Sequence, residues 1–581
     1  MVIAGCSLPE AWADARQWRI LETGFGFGTD FLTVWQAWRS DPRRPRLLHV
    51  VSIEPQPVAR DALLRSADHA NPEIDALVQQ LAAQWRGLLP GFHRLSFEGG
   101  RVLLTLCIGD LQAMLRAQHF EADSLWLSGL GAGPESRDAA MASPGTLKAI
   151  SRFARRGTRC IVTSASPTVR DALTRCGFRF DAATDPPPST EILCGSYDPA
   201  WTPRRRKPQT LPAAAGHCAV IGAGLAGAAV ATSLVRRGWR VTVLEAAAQP
   251  ATGASGVPVA LLAPHVSPDD AMLSRLTRAG IGMTRQQLRQ WLVEGEDWRD
   301  GGVLERRGPD DLRLPSGWTP AGPNPSWLAS AAQIAAAALP ADTAALWHAD
   351  GAWVKPARLV AAWLAQPGIT LRTGCRVDRM QRTPDGWTLH DDDGRCLCQA
   401  DRVVLAAGFG SRTLAPGHPL QPVRGQVDWG RMQQAPTLPA TPLNGDGHLI
   451  AQVPQDGGAI WLTGATFDRD RTDTTPNPSD SKTNLARLAR LHPGAAALLA
   501  PAFTDGAIQS WAGIRCASAD RRPLVGPLDA ADPDGAWLCS ALGSRGLSFA
   551  VLCAELLAAR WHAEPLPLPA RLAAALDTGR V

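Results

Sequence analysis

The chain has 581 residues, of which 45% are apolar and 19% charged, with a formal net charge of +5. That length exceeds one ordinary core and predicts several domains, and the apolar fraction excludes a disordered chain. The small positive excess, carried almost wholly by arginine, permits a polyanionic partner without demanding one.

The first strand is predicted over residues 19–22. It runs into Glu22-Thr-Gly24-Phe-Gly26-Phe-Gly28-Thr-Asp30 and then a helix over 30–39. Further strands fall at 47–53, 102–108, 124–127 and 159–164, with helices between them, and the apolar stretch 191–195 closes the series. Such alternation predicts a mostly parallel, doubly wound α/β sheet. Glu54 ends the second strand, where a carboxylate can accept from ribose hydroxyls, and Asp110 follows the strand at 102–108. Residues 199–212 read PAWTPRRRKPQTLP, a proline-rich basic stretch without apolar periodicity. The expected division is therefore a domain over 1–198, a linker over 199–214 and a second domain over 215–581.

The second domain opens with a strand at 218–221, a glycine turn, a helix at 226–237 and a strand at 240–244. The turn is Gly222-Ala-Gly224-Leu-Ala-Gly227. Its first glycine allows the tight bend, its second a close approach to pyrophosphate, and its third close helix–strand packing. Glu245 supplies the acid after the next strand. The turn alone does not choose between FAD and NAD. Beyond residue 269 the pattern loosens, then a strand returns at 402–406 and a helix closes the chain at 548–560. A nucleotide-binding domain interrupted by a substrate domain gives this order.

The 12 cysteines show no CxxC pair repeated at zinc spacing, so no metal site is expected and a reducing cytoplasm fits. Residues 1–6, MVIAGC, lack the basic and long apolar regions of an export signal, and no apolar run reaches the roughly 18 to 20 residues of a bilayer span. A cytoplasmic protein without membrane contact is the expectation, as a monomer.

Thr252-Gly-Ala-Ser255-Gly256, Val404-Leu-Ala-Ala-Gly408, Gly513-Ile-Arg515 followed by Asp520, Pro523 and Gly526, and Gly543-Ser-Arg545-Gly546 occur in that order. Together they resemble the flavin-contacting segments of the D-amino-acid-oxidase-like flavoenzymes. The resemblance implies FAD, a Rossmann-type domain with an inserted α+β substrate domain, and hydride removal from a carbon beside an amine. It makes Arg515 the candidate for a substrate carboxylate, a task suited to a bidentate guanidinium, with Arg545 in the flavin loop and Arg424 lining the site. The E-x-G-x-G-x-G loop resembles that of class I methyltransferases. This implies S-adenosylmethionine held by Glu22, Gly24, Gly26, Gly28, Glu54 and Asp110.

Methyltransferase first and flavoenzyme second, with Leu89-Pro90-Gly91, Gly513-Ile-Arg-Cys-Ala517 and Leu552-Cys-Ala-Glu-Leu556, resembles the bifunctional tRNA 5-methylaminomethyl-2-thiouridine biosynthesis proteins over nearly the whole chain. The resemblance implies removal of a carboxymethyl group from a tRNA wobble uridine as glyoxylate, then methylation of the amine. Ser128-Gly-Leu130 stands where that family has Asp-Gly-Phe, whose Asp takes the proton of the attacking amine. Serine is a poor base, so weakened methyl transfer is expected. Two alternatives stay open: a small-molecule amine oxidase, and a first domain that binds without catalysing. The run Arg204-Arg205-Arg206-Lys207 reads either as a phosphate contact or as a solvated linker, and no DNA partner is implied. Most of the 21 tryptophans fall in apolar patterns and are expected in cores.

Overall fold

The computed structural model describes residues 2–66, 71–128, 143–163, 167–181, 192–201, 214–318, 324–432 and 438–580. The basic run 204–207, Gly129, Leu130, Ser164 and Glu191 lie outside them. Two compact units emerge: Met1–Ala214 with Ala558–Ala573, and Ala215–Leu557 with Ala574–Val581. The stretch Ala558–Ala573 thus clusters with the first unit, which a division at the linker alone does not anticipate.

The first unit is built on strands β1 (Gln17–Thr23), β2 (Leu47–Glu54), β3 (Gly91–Phe97), β4 (Val102–Ile108), β5 (Ala122–Leu127), β6 (Ala154–Val162), β7 (Phe178–Phe180) and β8 (Leu193–Tyr197). Their order is β3-β4-β2-β1-β5-β6-β8-β7. The run from β4 to β6 is parallel, whereas β3, β7 and β8 pair antiparallel. Central strands β2 and β4 are buried along almost their whole length because both faces are covered. Helix Thr29–Ser40 turns Phe31, Trp35 and Trp38 into one core with Trp12 and Trp126, so these tryptophans are packing residues.

Residues 562–566 have no sheet ladder to satisfy their carbonyls, and side chains of the first unit do it instead. Gln17 donates to His562, Arg19 to Ala563, Arg94 to Pro565 and Gln118 to Leu566. Arg19 also pairs with Asp123, both groups buried, and Arg155 shares that carboxylate.

The second unit holds a six-stranded sheet in the order Ile369–Arg372, Arg240–Leu244, His217–Ile221, Arg402–Leu405, Trp537–Ser540, Leu524–Pro527. All neighbours are parallel except the last pair. Helix Leu225–Arg236 follows the glycine turn, and on the same unit Glu555 of helix Gly546–His562 is tied to Arg237 and Ser233. Burial opposes a charge on Glu555, but Arg237 and Arg236 outweigh it and hold the carboxyl far below its usual range. The 20-residue helix Met272–Trp291 packs through Gly280, where a Cβ would lie 1.7 Å from the Ser548 carbonyl oxygen.

Inserted between these strands is a nine-stranded, largely antiparallel sheet. Near one end of it Gln421–Arg431 pairs with both Gly458–Gly464 and Gln509–Ala517. Helix Pro478–Leu491 packs on one face of it. This is the expected interruption by an α+β domain. Among the described residues no helix is long and apolar enough to cross a membrane.

Asp123→Ala leaves the buried Arg19 guanidinium without its carboxylate. Loss of one partner of such a pair costs about 3 to 5 kcal/mol, so the first unit should melt well below its wild-type temperature. Scanning calorimetry that shows an unshifted transition would exclude this role for the pair.

Candidate active sites

The second unit contains a cavity of about 1310 Å³ that begins at the glycine turn and ends on the inserted sheet. Gly222, Gly224, Glu245, Ser255, Gly408, Gly543, Arg545 and Gly546 all line it. Gly222 has φ +106°, and a Cβ there would meet the Ala406 oxygen at 2.7 Å. Gly227 and Gly256 stand behind the wall and act through packing: their Cβ atoms would lie 1.9 Å from Gly222 O and 2.6 Å from Ala251 O. Glu245 accepts from the amides of Ala223 and Ala247, fixing its carboxylate beside the turn. A helix N-terminus at Leu225, the glycine backbone and this acid form the donor and acceptor set of a dinucleotide, and the cavity exceeds the usual several hundred Å³ of a small-ligand site. The residues fit FAD.

At the other end, Gly425 and Gly513 face each other across the paired strands Gln421–Arg431 and Gln509–Ala517. A Cβ on Gly513 would meet the Trp511 ring at 2.3 Å, and one on Gly425 the Arg515 guanidinium at 2.3 Å. The glycine pair therefore clears a shelf on which these two side chains lie toward the cavity. Arg515 donates to the Thr466 carbonyl at 3.2 Å and makes no ion pair within salt-bridge distance among the described residues. Burial, with Arg487 nearby, pulls its pKa down to about 10, so it stays charged. His448 lies against the same guanidinium. Burial and the Arg515 charge lower its pKa to about 4, leaving a neutral imidazole.

Arg424 does not reach the cavity. Its fully buried guanidinium is held by the Asp480 carboxylate, by the carbonyls of Asp473 and Thr475, and by Gln426. The assignment of Arg424 as a lining residue is corrected by the pleat: 423, 425 and 427 face the cavity, whereas 424, 426 and 428 face helix Pro478–Leu491.

Arg487, His448, His265 and Glu305 also line the cavity, and sequence reading missed all four. Glu305 accepts from His348 at 2.8 Å, and the other ring nitrogen of His348 meets Ser326 at 2.8 Å. Burial opposes the Glu305 charge, but His348 and Arg307 together hold its pKa below the usual value. Glu305 and His448 are polar positions within strands, whereas Arg487 lies on helix Pro478–Leu491 and His265 in a loop.

In the first unit the glycine loop takes positive φ at Gly24, Gly26 and Gly28, at +88°, +54° and +74°. Glu54 accepts from the amides of Phe25 and Gly26, as Glu245 does from its own turn. Asp110 caps helix Leu111–Ala117 by accepting from Ala113. Glu22 is buried with one oxygen lacking any hydrogen-bond partner among the described residues. Burial raises its pKa to about 8, with Ser52 opposing and the charges of Asp30 and Glu54 adding. An orphaned buried oxygen beside the glycine loop fits the polar end of S-adenosylmethionine. Ser128 stands beside this loop: a Cβ on Gly24 would lie 3.8 Å from its Cβ, and its hydroxyl meets that of Thr163 at 3.2 Å.

A family described as FAD dependent oxidoreductase matches residues 217–560, and one described as S-adenosyl-L-methionine-dependent methyltransferase matches 72–198. The chain is 49% identical to the tRNA 5-methylaminomethyl-2-thiouridine biosynthesis bifunctional protein MnmC of Polaromonas sp., covering 99% of this chain and 92% of that protein. It is 48% identical to the MnmC of Verminephrobacter eiseniae, covering 99% and 98%. Among solved structures, glycine oxidase from Geobacillus kaustophilus aligns with a TM-score of 0.51 at 21% identity. That alignment covers 63% of this chain and 98% of the oxidase, a likeness of fold.

A carboxyl whose folded pKa lies above its unfolded value binds more protons when folded, so the stability it permits falls as pH rises from about 4.5 to about 8. Glu22→Gln removes that slope. Denaturation midpoints measured from pH 5 to 8 should fall less steeply for the variant than for the wild type, and parallel curves would place the Glu22 pKa elsewhere.

Proposed function

We infer the activity of this chain from the family to which it belongs, that of the tRNA 5-methylaminomethyl-2-thiouridine biosynthesis bifunctional proteins MnmC. It is an FAD-dependent oxidoreductase joined to an S-adenosylmethionine-dependent methyltransferase. The first activity removes the carboxymethyl group from 5-carboxymethylaminomethyl-2-thiouridine, and the second methylates the amine so exposed. tRNA, through its wobble uridine, is the proposed partner and the cytoplasm the proposed compartment, where 12 unpaired cysteines stay reduced. We assign methyl transfer to 1–198, the linker to 199–214 and oxidation to 215–581, with Ala558–Ala573 supporting the first unit.

The observation that carries the oxidative half is Arg515, a guanidinium that faces the flavin cavity without a carboxylate of its own. FAD, when bound, supplies the two-electron acceptor for the substrate C–H bond. The protein's task is orientation. The fork of Arg515 holds the substrate carboxylate, and the Gly425 shelf and Thr466 carbonyl fix the fork. Neutral His448 leaves that positive charge undiminished. Arg545 in the flavin loop adds positive charge at the same cavity.

In the methyl half, the incoming amine must lose a proton before it has a lone pair to attack with. The Ser128 hydroxyl accepts from that of Thr163, its backbone N–H donates to Thr23, and a serine hydroxyl is a poor base. Glu54, Gly24, Gly26 and Gly28 nevertheless keep the cofactor loop in order.

Two outcomes test this reading. Arg515→Lys should keep its yellow FAD yet lose glyoxylate release from tRNA, because a point charge does not replace a planar fork. Unchanged release would take Arg515 out of the site. Ser128→Asp should speed methyl transfer at pH 7 by up to the order of 10² to 10⁴, with cofactor affinity in calorimetry nearly unchanged. The gain should shrink toward pH 9, where more of the amine is already neutral. Fast transfer by the unaltered protein at pH 7 would mean another group serves as base.

A further inference from the structure

Phe467 is out of place for a large apolar side chain. It is 49% exposed, it lines the flavin cavity, and its ring stands 5.8 Å from the Arg515 guanidinium carbon. Two anchors hold it there. The preceding residue, Thr466, accepts from Arg515 through its carbonyl. The following residue, Asp468, pairs in register with Arg424 and turns its carboxylate toward that buried guanidinium. With Asp468 tied inward, the adjoining Phe467 is turned to the cavity. The chain thus spends a buried ionic network on keeping an aromatic face in solvent beside its anion site.

We propose that Phe467 is the platform on which the uracil ring of the substrate stacks while Arg515 holds the carboxylate of its side arm. The inference rests on the tRNA reading given above. Four bonds of about 1.5 Å separate the ring of such a uridine from its carboxylate carbon, a reach of roughly 5 Å when extended. The arm is therefore long enough to extend from a base at Phe467 toward the neighbouring guanidinium, whose carbon lies 5.8 Å from the phenyl centre. A base stacked on Phe467 would let the cavity distinguish a nucleoside amine from a bare N-alkyl glycine, which Arg515 alone does not do. Aromatic faces accept any base by stacking, so selectivity for uridine's modification stays with the carboxylate contact.

The test uses the full-length protein with FAD bound and tRNA carrying 5-carboxymethylaminomethyl-uridine, following flavin bleaching without oxygen. Phe467→Leu keeps apolar cover over Arg515 but removes the aromatic face. It should raise KM for tRNA by roughly 5- to 150-fold while kcat moves far less, and Phe467→Trp should restore the wild-type KM. A Leu variant with unchanged KM beside normal wild-type turnover would overturn the platform alone. A wild-type flavin that tRNA does not reduce would overturn the tRNA reading and the platform with it.

Discussion

Backbone approaching backbone more closely than a side chain allows is the constraint on which the oxidoreductase unit depends. Gly222 O lies 1.9 Å from where a Cβ on Gly227 would stand, so strand, turn and helix meet only if that position is bare. Gly222 in turn sits against Ala406 and Ala407 of the neighbouring loop, and Ser255 accepts from the first amide of the helix. Any added atom pushes apart three segments at once. From this contact the six-stranded sheet takes its register and the cavity takes its floor. The first unit repeats the device in a looser form, with Glu54 rather than neighbouring backbone holding the loop amides.

Charge in the inserted sheet is sorted by parity. Arg424 and Arg515 occupy paired strands only one residue out of step. Yet one is fully buried among Asp480, Asp473 and Gln426, and the other faces a cavity with no carboxylate within salt-bridge distance among the described residues. The neutralised arginine holds strands and helix together. The unneutralised one costs desolvation that only a ligand's carboxylate would offset, which is the signature of a binding group.

Where short-range pattern decides structure, the sequence was a sufficient guide. The strands at Val102–Ile108 and Arg240–Leu244 have the limits their apolar runs announce, and both glycine turns lie between strand and helix as expected. Arg424 shows where it was insufficient. The motif placed it near the site, but its side depends on pairing with residues about 90 positions later in the chain. Arg487, His448 and Glu305 likewise come from a helix and two strands far apart in sequence, brought to one cavity only by the tertiary fold. The carbonyls at 562–566 are met by side chains rather than by a ladder, so no periodicity reveals that this stretch supports the first unit.

The two sites are opposite in sign, and the order of the chemistry accounts for that. The flavin cavity presents Arg515, Arg487 and Arg545, a field that attracts a carboxylate-bearing amine. Removing the carboxymethyl group takes away the only anion on that arm and leaves an amine that, like a lysine side chain, is cationic near neutral pH. The same arginines then repel the product, so oxidation destroys the attraction that bound its substrate. The methyl-transfer site gathers Glu22, Asp30 and Glu54 closely enough that their mutual repulsion adds to burial in keeping Glu22 protonated. Such a site favours cations, both the sulfonium of the methyl donor and the incoming ammonium. It thereby makes that ammonium harder to deprotonate, because nearby negative charge stabilises the protonated form. A positioned base matters more there than it would in a neutral pocket, which is why we propose that methyl transfer turns on Ser128, whose hydroxyl meets that of Thr163.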